Sequence, residues 1–93
     1  MISTEARPRL APRARLRFDR KTGRYLLLYP ERGLAPNATG SDILRLCTGE
    51  HSVADIVDRL AAAYAEQPRE AVAEEVQAFL AAMADRGLVL DTR

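Results

Sequence analysis

Ninety-three residues, 47% hydrophobic and 29% charged, make one small globular domain: the chain is too short for a second core and too apolar for wholesale disorder. One cysteine (Cys47), one histidine (His51) and no tryptophan exclude an internal disulfide, a four-cysteine zinc site and a self-contained iron–sulfur cluster, so no catalytic residue, metal or cofactor is expected. The formal charge of +1 hides a polarity, because residues 1–33 hold nine basic groups against three acids while the remainder holds five against ten.

Residues 1–12 carry Pro8 and Pro12 and lack the apolar stretch of a secretory signal, which predicts an extended arm in a cytoplasmic protein. No apolar run approaches the ~20 residues of a membrane span. A small sheet is expected over residues 13–36. In Arg15-Leu16-Arg17-Phe18-Asp19 the alternation places Leu16 and Phe18 on one face, the period of a half-buried strand. After a turn ending at Gly23, Tyr25-Leu26-Leu27-Leu28-Tyr29 reads as a second strand that is apolar on both faces. Pro30 ends it, and Arg32-Gly33-Leu34-Ala35 can return as a third strand before Pro36.

From residue 37 to 93 the period is helical, with a short extended tail. Asn37 or Thr39 can cap a helix carrying Ile43, Leu46 and Cys47 on one side, and Gly49 ends it. Ser52-Val53-Ala54-Asp55 resembles a capping box, followed by the stripe Val53, Ile56, Val57, Leu60, Ala61 and Tyr64. A third helix is expected from Pro68 with the stripe Val72, Val76, Phe79, Leu80 and Met83. Arg86-Gly87 closes it, and Leu88-Val89-Leu90 can pack back as the tail. The layout predicts an α+β domain, an N-terminal three-stranded antiparallel sheet followed by a three-helix bundle, winged-helix-like.

Such a domain could read nucleic acid. Its second and third helices, however, carry Asp55, Asp58, Glu70, Glu74, Glu75 and Asp85 against few basic groups, which phosphates would repel. A winged-helix regulator is therefore the alternative reading. Cys47 and His51 are separated by a glycine that breaks the helix which would align them, and two ligands do not close a zinc site, so they read as a buried thiol and a loop histidine.

Arg7-Pro8-Arg9-Leu10, Arg15-Leu16-Arg17-Phe18-Asp19, Leu27-Leu28-Tyr29-Pro30-Glu31, Asn37-Ala38-Thr39, Ile43-Leu44-Arg45-Leu46-Cys47-Thr48-Gly49, Ser52-Val53-Ala54-Asp55-Ile56-Val57 and Asp85-Arg86-Gly87-Leu88 follow one another in a characteristic order and spacing. The ordered set resembles the pyrroloquinoline quinone (PQQ) biosynthesis protein D family (PqqD) over nearly the whole chain. Pro36 departs from the family, which more often has an apolar residue there, and this bears on the length of the third strand. Thr48-Gly49 replaces a commoner Asp-Gly at a helix-ending turn.

The resemblance implies a peptide chaperone rather than an enzyme. It would bind a ribosomal precursor peptide (PqqA-like) and present it to a radical S-adenosylmethionine enzyme (PqqE-like) that cross-links a Glu and a Tyr of that peptide. It further implies that the peptide joins the sheet edge and lies against the third helix. Physically, an edge strand offers unpaired backbone groups to any extended chain, and pockets beside it select the sequence. Arg32, Gly33, Leu34 and Ala35 would be that edge, with Val72, Val76 and Phe79 as groove residues, although the helix stripe serves equally as core packing and Gly33 as a turn residue. The two apolar faces of the second strand also suggest a homodimer at high concentration.

Overall fold

The computed structural model describes residues 2–91, in the order β1 (Pro8–Leu10), β2 (Arg15–Asp19), β3 (Arg24–Tyr29), β4 (Arg32–Leu34), α1 (Ala38–Arg45), α2 (Val53–Ala63), α3 (Arg69–Asp85) and β5 (Val89–Asp91). The strands form two antiparallel sheets, β2-β3-β4 and β1-β5. This is the expected α+β class, with a second, two-stranded sheet added.

Alternation in β2 sets the register of the larger sheet. Leu16 lies opposite Leu27, and Leu27 opposite Leu34, so one face presents a row of leucines to the helices. Leu27 is fully buried at the centre of that row. Between β2 and β3, the Asp19 carboxylate accepts from the Lys21 amide at 2.9 Å and Gly23 takes φ +70°, a left-handed value that favours glycine. Two residues, Pro30 and Glu31, connect β3 to β4, with Glu31 at φ 63°. Strand β4 stops at Leu34, one residue short of the expected end at Ala35. Beyond it Pro36 brings no amide to continue a ladder.

Asn37 caps α1, its side-chain oxygen accepting from the Gly40 amide at 2.8 Å. Ser52 caps α2 by accepting from the Asp55 amide at 3.0 Å. The reciprocal half of the expected capping box is replaced, because the Asp55 carboxylate is taken by His51 Nδ1 at 2.6 Å and Arg59 Nε at 3.1 Å. Pro68 precedes α3 as its extended N-cap instead of opening its first turn. At the other end of α3, Gly87 takes φ +72°. Its amide donates to Ala84 at 2.9 Å while the Leu88 amide donates to Met83 at 2.9 Å, closing the helix with paired back-bonds.

That closure turns the chain into β5, which pairs Leu10↔Val89, Arg9↔Leu90 and Pro8↔Asp91 with β1. The stretch expected as an arm is thus extended but built in. Thr4 and Ala6 carbonyls accept from the Ala54 and Val53 amides at 3.0 and 2.9 Å, and Ala6 and Pro8 are buried. Gln77 of α3 holds the backbone of Ile2 from both sides, accepting from its amide at 3.0 Å and donating to its carbonyl at 2.8 Å. Ile43, Leu44, Val53, Ile56, Leu60, Val72, Val76 and Leu80 complete the core beneath the larger sheet.

Candidate functional site

In the order β2-β3-β4, strand β4 is an outer strand, so one of its sides has no neighbour in its own sheet. A two-residue turn is closed by a hydrogen-bonded pair, here Tyr29 and Arg32. The alternation of antiparallel pairing then turns the backbone groups of Arg32 and Leu34 toward β3 and those of Gly33 outward. Arg32, Gly33 and Ala35 are exposed and Leu34 is half-buried against the core. A side chain on Gly33 would stand 3.3 Å from Leu28 Cδ2, so the missing Cβ leaves both the outward backbone and the neighbouring leucine accessible.

The helical candidates divide. Val72 and Val76 are 3% and 0% exposed and point into the core, so in this structure they offer no groove surface. A helical stripe must bury something, and here α3 packs against α2, α1 and β5. Phe79 is half-buried, on the flank of α3 that meets α1. Its ring lies against Gly40: a Cβ there would be 2.7 Å from Phe79 Cε1. The structure therefore brings Arg32, Gly33 and Leu34 together as one edge strand, leaves Ala35 just past its end, and sets Phe79 apart on a neighbouring helix.

Sequence reasoning overlooked Gly40. A glycine in the first turn of a helix sacrifices about 1 kcal/mol of propensity, and Asn37-Ala38-Thr39-Gly40 was the available sign of a close approach. It also overlooked the brace between the helices, where the Tyr64 hydroxyl donates to Asp42 Oδ2 at 2.6 Å. That bond raises the Tyr64 pKa, with burial adding to it. A recess of about 470 Å³ opens next to the loop after β4, lined among others by Arg24, Tyr25, Pro36, Asn37 and Asp42.

Cys47 is buried, its thiol donating to the Ile43 carbonyl at 3.3 Å, and burial pushes its pKa up to about 12. Asp55 is held below its ordinary pKa by the bonds from Arg59 and His51. Among the described residues no three His, Cys, Asp or Glu side chains gather as metal ligands, and no helix is long and apolar enough to cross a membrane. The acids Asp58, Glu70, Glu74 and Glu75 lie exposed on α2 and α3, which disfavours the nucleic-acid reading because phosphates would be repelled there.

The fold and edge define an α+β domain whose accessible backbone lies on an outer strand. The family model for coenzyme PQQ synthesis protein D (PqqD) matches residues 24–89. A PqqA binding protein of Bradyrhizobium diazoefficiens is 42% identical over 92 residues, covering 99% of this chain and 88% of its own. One from Rhodopseudomonas palustris strain HaA2 is 41% identical over 92 residues, covering 99% and 89%. Among solved structures, the chain is similar to the PqqD truncation of Methylobacterium extorquens PqqCD, determined by solution NMR. The TM-score is 0.78 at 26% identity, covering 97% of this chain and 95% of that one. That truncation is described as a functional, stand-alone recognition element for ribosomally synthesized and post-translationally modified peptides. The chain belongs to the PqqD family.

Proposed function

We propose that this chain binds the PqqA precursor peptide in PQQ biosynthesis, by accepting an extended segment of it as an added strand on β4. The open edge of β4 in a member of this family is the observation that carries the reading. Its relatives' designation as PqqA binding proteins and the likeness to a peptide recognition element support it. Backbone addition supplies affinity without demanding sequence, and side chains beside the edge then select. Leu34 offers an apolar contact, Arg32 a cation, and Phe79 is the aromatic candidate on α3.

Catalysis is assigned to a partner. The bound peptide is presented to a radical S-adenosylmethionine enzyme for cross-linking of a Glu and a Tyr, while this protein positions the substrate and performs no turnover. Calorimetric titration with synthetic precursor peptide tests the reading. A peptide N-methylated at alternate amides loses several bonds of ~0.5–1.5 kcal/mol net each and is expected to bind at least about tenfold more weakly. Unchanged affinity on methylation would contradict strand addition.

A further inference from the structure

Continuing the register Leu27↔Leu34 by two positions sets Tyr25 beside Pro36, which has no amide to donate. The ladder ends there, and the recess of about 470 Å³ opens between the start of β3 and α1. Ser41 lines it and is the single buried polar side chain among the described residues, 7% exposed. Within those residues its hydroxyl makes no hydrogen bond, yet the oxygen is not sealed, so the surface it keeps opens on the recess. Asn37, also in the lining, spends its side-chain oxygen on the Gly40 amide at 2.8 Å and keeps its Nδ2 donors. The one acid of the lining, Asp42, is engaged: Oδ2 accepts from the Tyr64 hydroxyl at 2.6 Å and Oδ1 lies 4.0 Å from an Arg45 nitrogen. Arg24 lines the recess too. Asp19 stands opposite it in the ladder but accepts from the Lys21 amide at 2.9 Å, and no ion pair joins the two side chains. Acceptors here are committed while donors are free.

We propose that this recess seats a carboxylate side chain of the precursor peptide, next to the segment that pairs with β4, with Ser41 and Asn37 as its hydrogen-bond donors. The inference rests on the peptide reading above. Donor chemistry selects the occupant: a carboxylate accepts from a hydroxyl and an amide at once, whereas a side-chain amide would set its own N–H groups against those of Asn37. Position agrees, because only Ala35 separates the β4 edge from Pro36 and Asn37 at the recess. The edge also needs a second reader. Strand β4 turns the backbone of Gly33 outward and little else, and a peptide that slips by two residues along such an edge makes the same bonds. One side chain held beyond the end of the strand fixes a single register and adds affinity that the short edge lacks.

The test titrates the full chain with synthetic precursor peptide, amidated at its C-terminus so that only side chains carry carboxylates. Asn37→Asp keeps an oxygen to cap α1 but replaces the donor with a second acceptor, and is expected to weaken binding at least about tenfold with the fold intact. Ser41→Ala, which fits the same space, is expected to cost about fivefold. On the peptide side, each Asp and Glu is replaced in turn by its amide. One replacement is expected to weaken binding to the wild type at least about tenfold and to lose little more on Asn37→Asp, the non-additivity of a direct contact. The proposal is overturned if Asn37→Asp and Ser41→Ala both bind like the wild type, or if no acid-to-amide replacement weakens binding. Strand addition is judged separately, by the N-methylated peptide: unchanged affinity there, with one acid still responsive, would remove the strand and leave the recess. A wild-type chain that binds no peptide would remove both.

Discussion

Phe79 occupies the space that a side chain on Gly40 would need: its Cε1 lies 2.7 Å from where that Cβ would stand. The first turn of α1 and the middle of α3 are therefore fitted to one another at a single aromatic ring. Gly40→Ala gains about 1 kcal/mol of helix propensity but forces the half-exposed ring aside, at ~1–3 kcal/mol for overpacking. A net loss of about 1 kcal/mol in denaturant unfolding is expected. The Gly40→Ala/Phe79→Ala double variant should lose less than the sum of the single changes, since removing the ring removes the clash. Additive losses would show that the contact is slack.

Tyr64 braces α2 to α1 through Asp42. Because the folded pKa of the phenol is raised, its contribution is fully present below the unfolded value of ~10 and is lost as pH rises through the folded one. Tyr64→Phe is expected to cost about 1 kcal/mol at neutral pH. It should also flatten the alkaline fall in stability expected of the wild type. Unfolding curves collected across the alkaline range for both proteins decide this, and parallel pH profiles would contradict it.

Asp55 gives the opposite sign. Its folded pKa is lowered by Arg59 and His51, so the stabilisation it brings to the start of α2 is present above the unfolded carboxylate value and lost as pH falls through the folded one. Asp55→Asn is expected to reduce the acid-side slope of stability. An unchanged slope would assign that slope to other carboxylates.

Cys47 should be silent toward thiol reagents. Buried and with its pKa at about 12, it holds almost no thiolate at neutral pH. Labelling with a chromogenic disulfide is expected only on global unfolding, at a rate that tracks denaturant. Rapid labelling of native protein would mean that α1 opens locally.

The larger sheet and the helix caps were legible because their determinants are local. Period-2 alternation from Arg15, a turn at Gly23 and the capping residues Asn37 and Ser52 each act within a few residues of themselves. Strand β1 was not legible as a strand, since a three-residue segment opening on Pro8 acquires its partner some eighty positions later at Val89–Asp91. The outer strand was legible, but the side chains around it were not. Pro30 and Pro36 bracketed a third strand, whereas periodicity told which side of α3 is apolar but not that Val72 and Val76 are sealed while Phe79 rests on Gly40.

Strand addition at β4 makes its most direct demand on one backbone group, the outward amide of Gly33. Residue-resolved hydrogen exchange with and without precursor peptide reads it. The account predicts that the Gly33 amide slows by at least about tenfold on saturation, with Arg32 and Leu34, already turned toward β3, changing less. A Gly33 amide that exchanges at the same rate in the free and saturated protein, with protection arising on α2 instead, would contradict it.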